Sequence, residues 1–264
     1  MLLKIENLSV SYKDEAGVVK SAARDVSLSL KAGEALGLVG ESGSGKSSVA
    51  LSVPRLLPSP PAFYPSGRIL FEGEDILKMT PRQLSQIRGR KIGVIFQDPM
   101  GSLSPLWRIG DQLVETIRLH TDISKAAARE HAIEWLGKVA LPEPERVARA
   151  YPHELSGGMQ QRVMTAMALF LDPKLIIADE PTTALDVTVQ KEVLSLMNKL
   201  RGKSTALLII SHDLGVISAV STKIAVMKDG LVVESQDDIA SFFKSQNHPY
   251  SRKLVEEARK MSLM

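Results

Sequence analysis

The chain has no cysteine in its 264 residues. A disulfide scaffold, a thiol nucleophile, a thiolate zinc site and a thiolate-held iron–sulfur cluster are therefore excluded within it. It also lacks any apolar run approaching the roughly 18 to 20 residues that span a membrane. The stretch Val163 to Leu171 is the longest of interest, and Thr165 interrupts it. The opening MLLKIENLSVSYKDE has no basic start, apolar block or small-residue cleavage site, which argues against a secretory signal. A charge excess is missing too. The 33 basic and 30 acidic residues leave a net charge of +3, too little to make nucleic acid the main partner. The expectation is a soluble protein of the cytoplasm that reaches a membrane only through a partner.

What is present is globular. Apolar residues make up 44% and charged residues 24%, near the average for folded domains. The length suits one to two domains and buries roughly three quarters of the unfolded surface. There is no internal repeat and no low-complexity segment.

The first forty residues read as strands. Leu3, Ile5 and Leu8 to Val10 form one apolar run, and Val26, Leu28 and Leu30 alternate with serines as in a half-buried strand. Ala35 to Val39 is wholly apolar, as expected of a strand buried on both faces. A Gly-rich loop and a helix follow, and Pro54 predicts that the helix kinks or stops there. Residues 58–67, with four prolines and one glycine, read as a loop. Arg68 to Phe71 and Ile92 to Gln97 read as further strands. Apolar spacing turns helical from about 99 to 150. Leu175 to Ala178 and Ala206 to Ile210 return to buried-strand texture, and about 236–264 reads as helical with mixed charge. The alternation predicts an α/β fold with a largely parallel sheet and a helical insertion.

Four motifs carry chemistry. GESGSGKS, comprising Gly40, Glu41, Ser42, Gly43, Ser44, Gly45, Lys46 and Ser47, fits G-x-x-x-x-G-K-[ST] between a buried strand and a helix. Its glycines let backbone N–H groups wrap a phosphate chain at a helix N-terminus. Lys46 would reach the β and γ phosphates, Ser47 would ligate Mg²⁺, and Ser48 faces the same side. LIIADE ends a buried strand with Asp179 and Glu180, where ligands of open α/β sheets bind. There Asp179 would hold Mg²⁺ and Glu180 would activate water. On its own an acidic strand end serves equally as a solvated turn. A lone His is more often structural, but His212 ends the strand in LLIISHD, where a γ-phosphate contact is feasible, and that placement favours a functional reading. LSGGMQQR, Leu155 to Arg162, offers a second anion-binding helix start, which by physics alone is only a cap.

GESGSGKS, LSGGMQQR and IIADEPTTALD, followed by the SHD histidine, resemble the ATP-binding cassette (ABC) family of ATPases over about residues 1–235. The resemblance implies a P-loop NTPase cassette: a RecA-like core with an antiparallel β lobe, plus an α-helical subdomain. It implies core lobes of about 1–98 and 164–235, a helical subdomain of about 99–163, and a C-terminal helical tail of 236–264. By the same resemblance Tyr12 stacks on adenine, and Gln97 links the γ-phosphate and Mg²⁺ to the membrane partner. Asp186 lies in the loop joining two active sites, and Ser156, Gly157, Gly158 and Gln160 form the signature that meets the ATP of the opposite subunit. ATP and Mg²⁺ are the implied cofactors. One phosphate loop and one signature per chain imply head-to-tail pairing with a second ATPase subunit, itself or a paralogue, and the resemblance favours the paralogue.

FQDPMGSLSP, YPHELSGGMQQRV, PTTALDVTVQ and NHPYSRKL look like the importers of oligopeptides, dipeptides and nickel. That branch implies two membrane permeases, an extracytoplasmic solute-binding protein, and a peripheral position on the cytoplasmic face of the inner (plasma) membrane. A short tail without cysteines looks more like the nickel or metal-chelate members. Ser235 follows Glu234 where the family often has glycine, so a different turn is expected there. His248-Pro249-Tyr250 has no part in ATP chemistry and is otherwise a turn before the last helix. Outside transport, the alternative is an ABC ATPase of repair, translation or cofactor assembly.

Overall fold

A computed structural model describes residues 1–183 and 185–262. Ala184, in the TALD segment, and residues 263–264 of the tail lie outside the described residues. The chain forms two compact units, one of Met1–Leu84 with Ala206–Met264 and one of Ser85–Thr205.

The first unit holds an antiparallel sheet of β1 (Leu3–Lys13), β2 (Val19–Leu30), β4 (Ala62–Phe71) and the short β5 (Glu74–Asp75), in the order β2-β1-β4-β5. Its inward face is the alternating set predicted from sequence, with Ile5, Leu8, Val10, Val26 and Leu30 buried. The expected loop at 58–67 is shorter than read. Residues from Ala62 onward are strand, paired with β1 through Tyr12 and Ala62, Ser11 and Phe63, and Ser9 and Ser66. Pro65 is tolerated because β5 pairs only with Leu70 and Phe71, which leaves this stretch of β4 an open edge.

The same unit holds β3 (Ala35–Val39), β8 (Ala206–Ser211), β9 (Lys223–Lys228) and β10 (Leu231–Gln236). β3 pairs in parallel with both β8 and β9, and β10 runs antiparallel to β9. All five residues of β3 are buried, as their unbroken apolar run predicts. Helix α1 (Lys46–Ser52) stops just short of Pro54. Glu234 and Ser235 lie inside β10, so the expected different turn there is a strand, and the chain turns instead at Asp229-Gly230. Helices α9 (Leu214–Val220), α10 (Ile239–Lys244) and α11 (Pro249–Ser262) complete the unit.

The second unit pairs β6 (Ile92–Ile95) in parallel with β7 (Leu175–Asp179). β6 is shorter than the expected Ile92 to Gln97, because its pairing with β7 ends at Ile95 and Ala178. Asp98 then caps α3 (Pro99–Ser102) through the Met100 N–H at 3.0 Å. The helical insertion comprises α3, α4 (Ile109–His120), α5 (Lys125–Lys138) and α6 (Pro144–Arg149), followed by α7 (Gly157–Leu169). Ile109, Leu113, Ala132, Leu136, Val163 and Ala166 are buried in it. α8 (Val187–Leu200) follows β7. α2 (Pro81–Ile87) contains the point in the chain, after Leu84, where the first unit gives way to the second.

Candidate nucleotide site

In the first unit the Gly-rich loop runs from the end of β3 to the start of α1. Gly40 and Gly45 have φ of 158° and 98°, and a Cβ on either would come within 2.1 Å of a backbone carbonyl, that of Met227 or Ala22. Only glycine fits such a path. The loop closes round its own lysine. Lys46 is 4% exposed, and its ammonium donates to the carbonyls of Gly40 and Glu41 at 2.7 and 2.8 Å and to Ser44 Oγ at 3.4 Å. Burying an ammonium is costly unless its donors are met, and here backbone oxygens meet them. The Gly230 N–H donates to the Ser44 carbonyl at 3.2 Å, so the β9–β10 turn also braces the loop. The loop's expected members are thus gathered by geometry, with Ser47 and Ser48 in the first turn of α1.

Tyr12 belongs with them. Its hydroxyl lies 3.0 Å from Ser48 Oγ, which brings the end of β1 to the helix behind the loop. His212 follows β8 directly and is exposed, and Asp213 caps α9 through the Gly215 N–H. A cleft of about 1080 Å³ in this unit is lined instead by residues such as Lys4, Ser27, Arg68 and Asp237. Its charges are matched by neighbours: Arg68 bonds Glu6, and Lys223 meets Asp237 at 3.0 Å.

In the second unit Asp179 ends β7 and is 5% exposed. Glu180 follows with φ 45°, in the left-handed region. That conformation is uncommon for a residue other than glycine and turns the chain sharply off the strand. Its carboxylate accepts from the Gln97 amide at 3.4 Å and from Thr183 Oγ1 at 2.9 Å. Gln97 and Glu180 are therefore neighbours. Thr183 was missed by sequence reasoning, although a hydroxyl three residues after an acid is the signal that could have found it.

The signature forms the start of α7. Ser156 caps it, accepting from the Met159 N–H at 3.4 Å, and Ser156 and Gly157 are exposed. A Cβ on Gly158 would meet Val189 Cγ1 at 2.9 Å, so its bareness allows α7 to approach α8. Gln160 differs from its partners. It is 5% exposed and its amide donates to the carbonyls of Pro152 and Leu155 at 2.8 and 3.2 Å. Its side chain holds the signature loop from within. Asp186 caps α8 through the Thr188 and Val189 N–H groups.

His248-Pro249-Tyr250 does start the last helix, as the turn reading has it, but it does more. The Tyr250 hydroxyl accepts the Glu41 N–H at 3.0 Å, a contact the sequence reading did not foresee. Among the described residues no cluster of three or more His, Asp or Glu could hold a metal, and no helix is long and apolar enough to cross a membrane.

Residues 23–183 match the protein family described as ABC transporter. The chain is 46% identical to the oligopeptide transport ATP-binding protein OppD of Bacillus subtilis over 251 residues, covering 95% of this chain and 70% of that one. It is 41% identical to the dipeptide transport ATP-binding protein DppD of the same organism, covering 99% of this chain and 78% of that one. It also superposes on the dimeric structure of a post-hydrolysis state of the ATP-binding cassette MJ0796 bound to ADP and Pi. That match has a TM-score of 0.79 and 30% identity, and covers 89% of this chain and 98% of the other.

Proposed function

The chain belongs to the ABC transporter family as an ATP-binding subunit that hydrolyses ATP to drive transport, and on that premise we propose that it powers the import of peptides. The observation that carries this reading is the backbone cradle closed round Lys46, joined to near-full-length likeness to oligopeptide and dipeptide transport subunits. That likeness favours peptide over nickel or a metal chelate as cargo.

In this reading the loop 40–47 and Ser48 bind the phosphates, Tyr12 takes the adenine, and Glu180 activates water with Gln97 and His212 beside the γ-phosphate. Residues 1–98 and 164–235 act as core lobes, 99–163 as the helical subdomain and 236–264 as the tail. Ser47, Gln97 and Asp179 offer a hydroxyl, an amide oxygen and a carboxylate, an all-oxygen set that suits Mg²⁺. When bound, that ion neutralises charge on the phosphate oxygens. Ser156, Gly157 and Gly158 meet the ATP of a second subunit, a paralogue, with Asp186 in the loop between the two sites and Gln160 bracing the signature. ATP closes the pair and hydrolysis reopens it. Two permeases hold the pair at the cytoplasmic face of the inner membrane, and an extracytoplasmic binding protein delivers the peptide.

The test is recovery of tagged Glu180→Gln protein from its host in mild detergent with Mg-ATP. Two multi-span permeases and a second cassette are expected, with peptide carried by the associated binding protein. Soluble partners, ribosomes or DNA in their place would overturn the importer reading. A binding protein loaded with nickel would overturn the peptide cargo alone.

A further inference from the structure

We propose that Tyr250 is a positioning residue of the phosphate loop, and that the segment Asn247–Tyr250 pins this loop through a chain of contacts beginning at Glu234. The proposal rests on the reading that the loop binds nucleotide. A phosphate loop works by aiming its N–H groups inward, and any N–H aimed elsewhere needs a fixed acceptor or the loop wavers. The Glu41 N–H has that acceptor in the Tyr250 hydroxyl, 3.0 Å away. The same residue's carbonyl accepts from Lys46 at 2.8 Å, so one residue is held at both backbone polar groups, by the tail and by the phosphate-binding lysine.

Tyr250 is itself fixed. It is 6% exposed, and the Lys228 ammonium sits 5.0 Å from its ring centroid. Its own N–H donates to His248 Nδ1 at 3.2 Å. The segment before it is anchored on Glu234 of β10, whose carboxylate accepts the Asn247 and His248 N–H groups at 2.9 and 3.0 Å and the Gln236 amide at 2.9 Å. The His-Pro-Tyr turn thus presents one hydroxyl at one place on the loop, 209 residues away in sequence. A loop fixed before the nucleotide arrives loses less entropy on binding, so the pin acts on affinity.

Titration of the full chain with Mg-ATP tests this, comparing wild type, Tyr250→Phe, Glu234→Gln and Lys46→Ala. Tyr250→Phe keeps the ring and removes only the acceptor. It is expected to weaken ATP binding about 3- to 10-fold, the worth of one hydrogen bond, at unchanged stoichiometry. Glu234→Gln should shift affinity the same way by less, and it carries the test alone if Tyr250→Phe does not fold. Lys46→Ala should lose most affinity. Wild-type affinity in Tyr250→Phe with loss in Lys46→Ala overturns the pin. So does a drop in stoichiometry or melting temperature at unchanged affinity, which marks Tyr250 as structural only. Wild-type affinity in Lys46→Ala overturns the nucleotide reading itself.

Discussion

The Gln97 amide and the Glu180 carboxylate meet at 3.4 Å, and the Thr183 hydroxyl donates to the same carboxylate oxygen at 2.9 Å. The proposed water-activating acid is thus held from two sides while its backbone sits at φ 45°. Glu180→Gln keeps the size and the contacts but removes the basic oxygen. ATP affinity should stay within about 2-fold of wild type, and hydrolysis should fall about 10²- to 10⁴-fold, the usual worth of a general base. Single-turnover hydrolysis checks it, and near wild-type turnover would reassign the base.

Thr183→Val separates holding from chemistry. It removes one donor from Glu180 and leaves the acid in place. Turnover should drop about 3- to 10-fold with KM for ATP unchanged, since one neutral hydrogen bond is at stake. A rise in KM instead would show that Thr183 meets the nucleotide.

Much of this was legible in the sequence because the signals are local. A wholly apolar run before a Gly-rich loop reads as a buried strand that turns tightly into a helix, and β3 and the glycine path round Lys46 bear that much out. Asp179 and Glu180 follow from a strand that ends in acids. What escaped depends on partners remote in the chain. Residues 62–67 look like a loop by Pro65, Gly67 and the three prolines just before them, yet an unpaired edge of β4 lets them be strand. Gln160 reads as one more signature residue until its burial against Pro152 and Leu155 is seen. Tyr250 reads as a turn, since nothing in NHPY encodes the approach of residue 41.

Gln160 gives a stability prediction. Replacing it with leucine keeps the volume but takes the amide donor from the Leu155 carbonyl and one of two donors from the Pro152 carbonyl, which keeps the Leu155 N–H at 3.1 Å. Loss of about 1–3 kcal/mol in unfolding free energy is expected, read from denaturant melts. A neutral effect would mean that water or another donor replaces the amide.

Glu234 sets an acid limit on the tail. Burial pushes its carboxyl up, but the Ser251 hydroxyl, the Asn247 and His248 N–H groups and the Gln236 amide together outweigh that and hold it below the usual carboxylate range. A carboxyl lowered in the folded state stabilises fully above its unfolded value of about 4.3, and that stabilisation disappears as pH falls through the lower folded value. The melting temperature of wild type should therefore exceed that of Glu234→Gln by a constant margin from about pH 8 to pH 5. The margin should shrink as the pH drops below about 4, because the protonated acid then presents one acceptor fewer to the segment that carries Tyr250. Amide protection factors along α11, corrected for the intrinsic exchange rate at each pH, should fall over the same interval in wild type and stay flat in the variant. If the margin is the same at every pH, the Glu234 carboxylate is not the charge that anchors the tail.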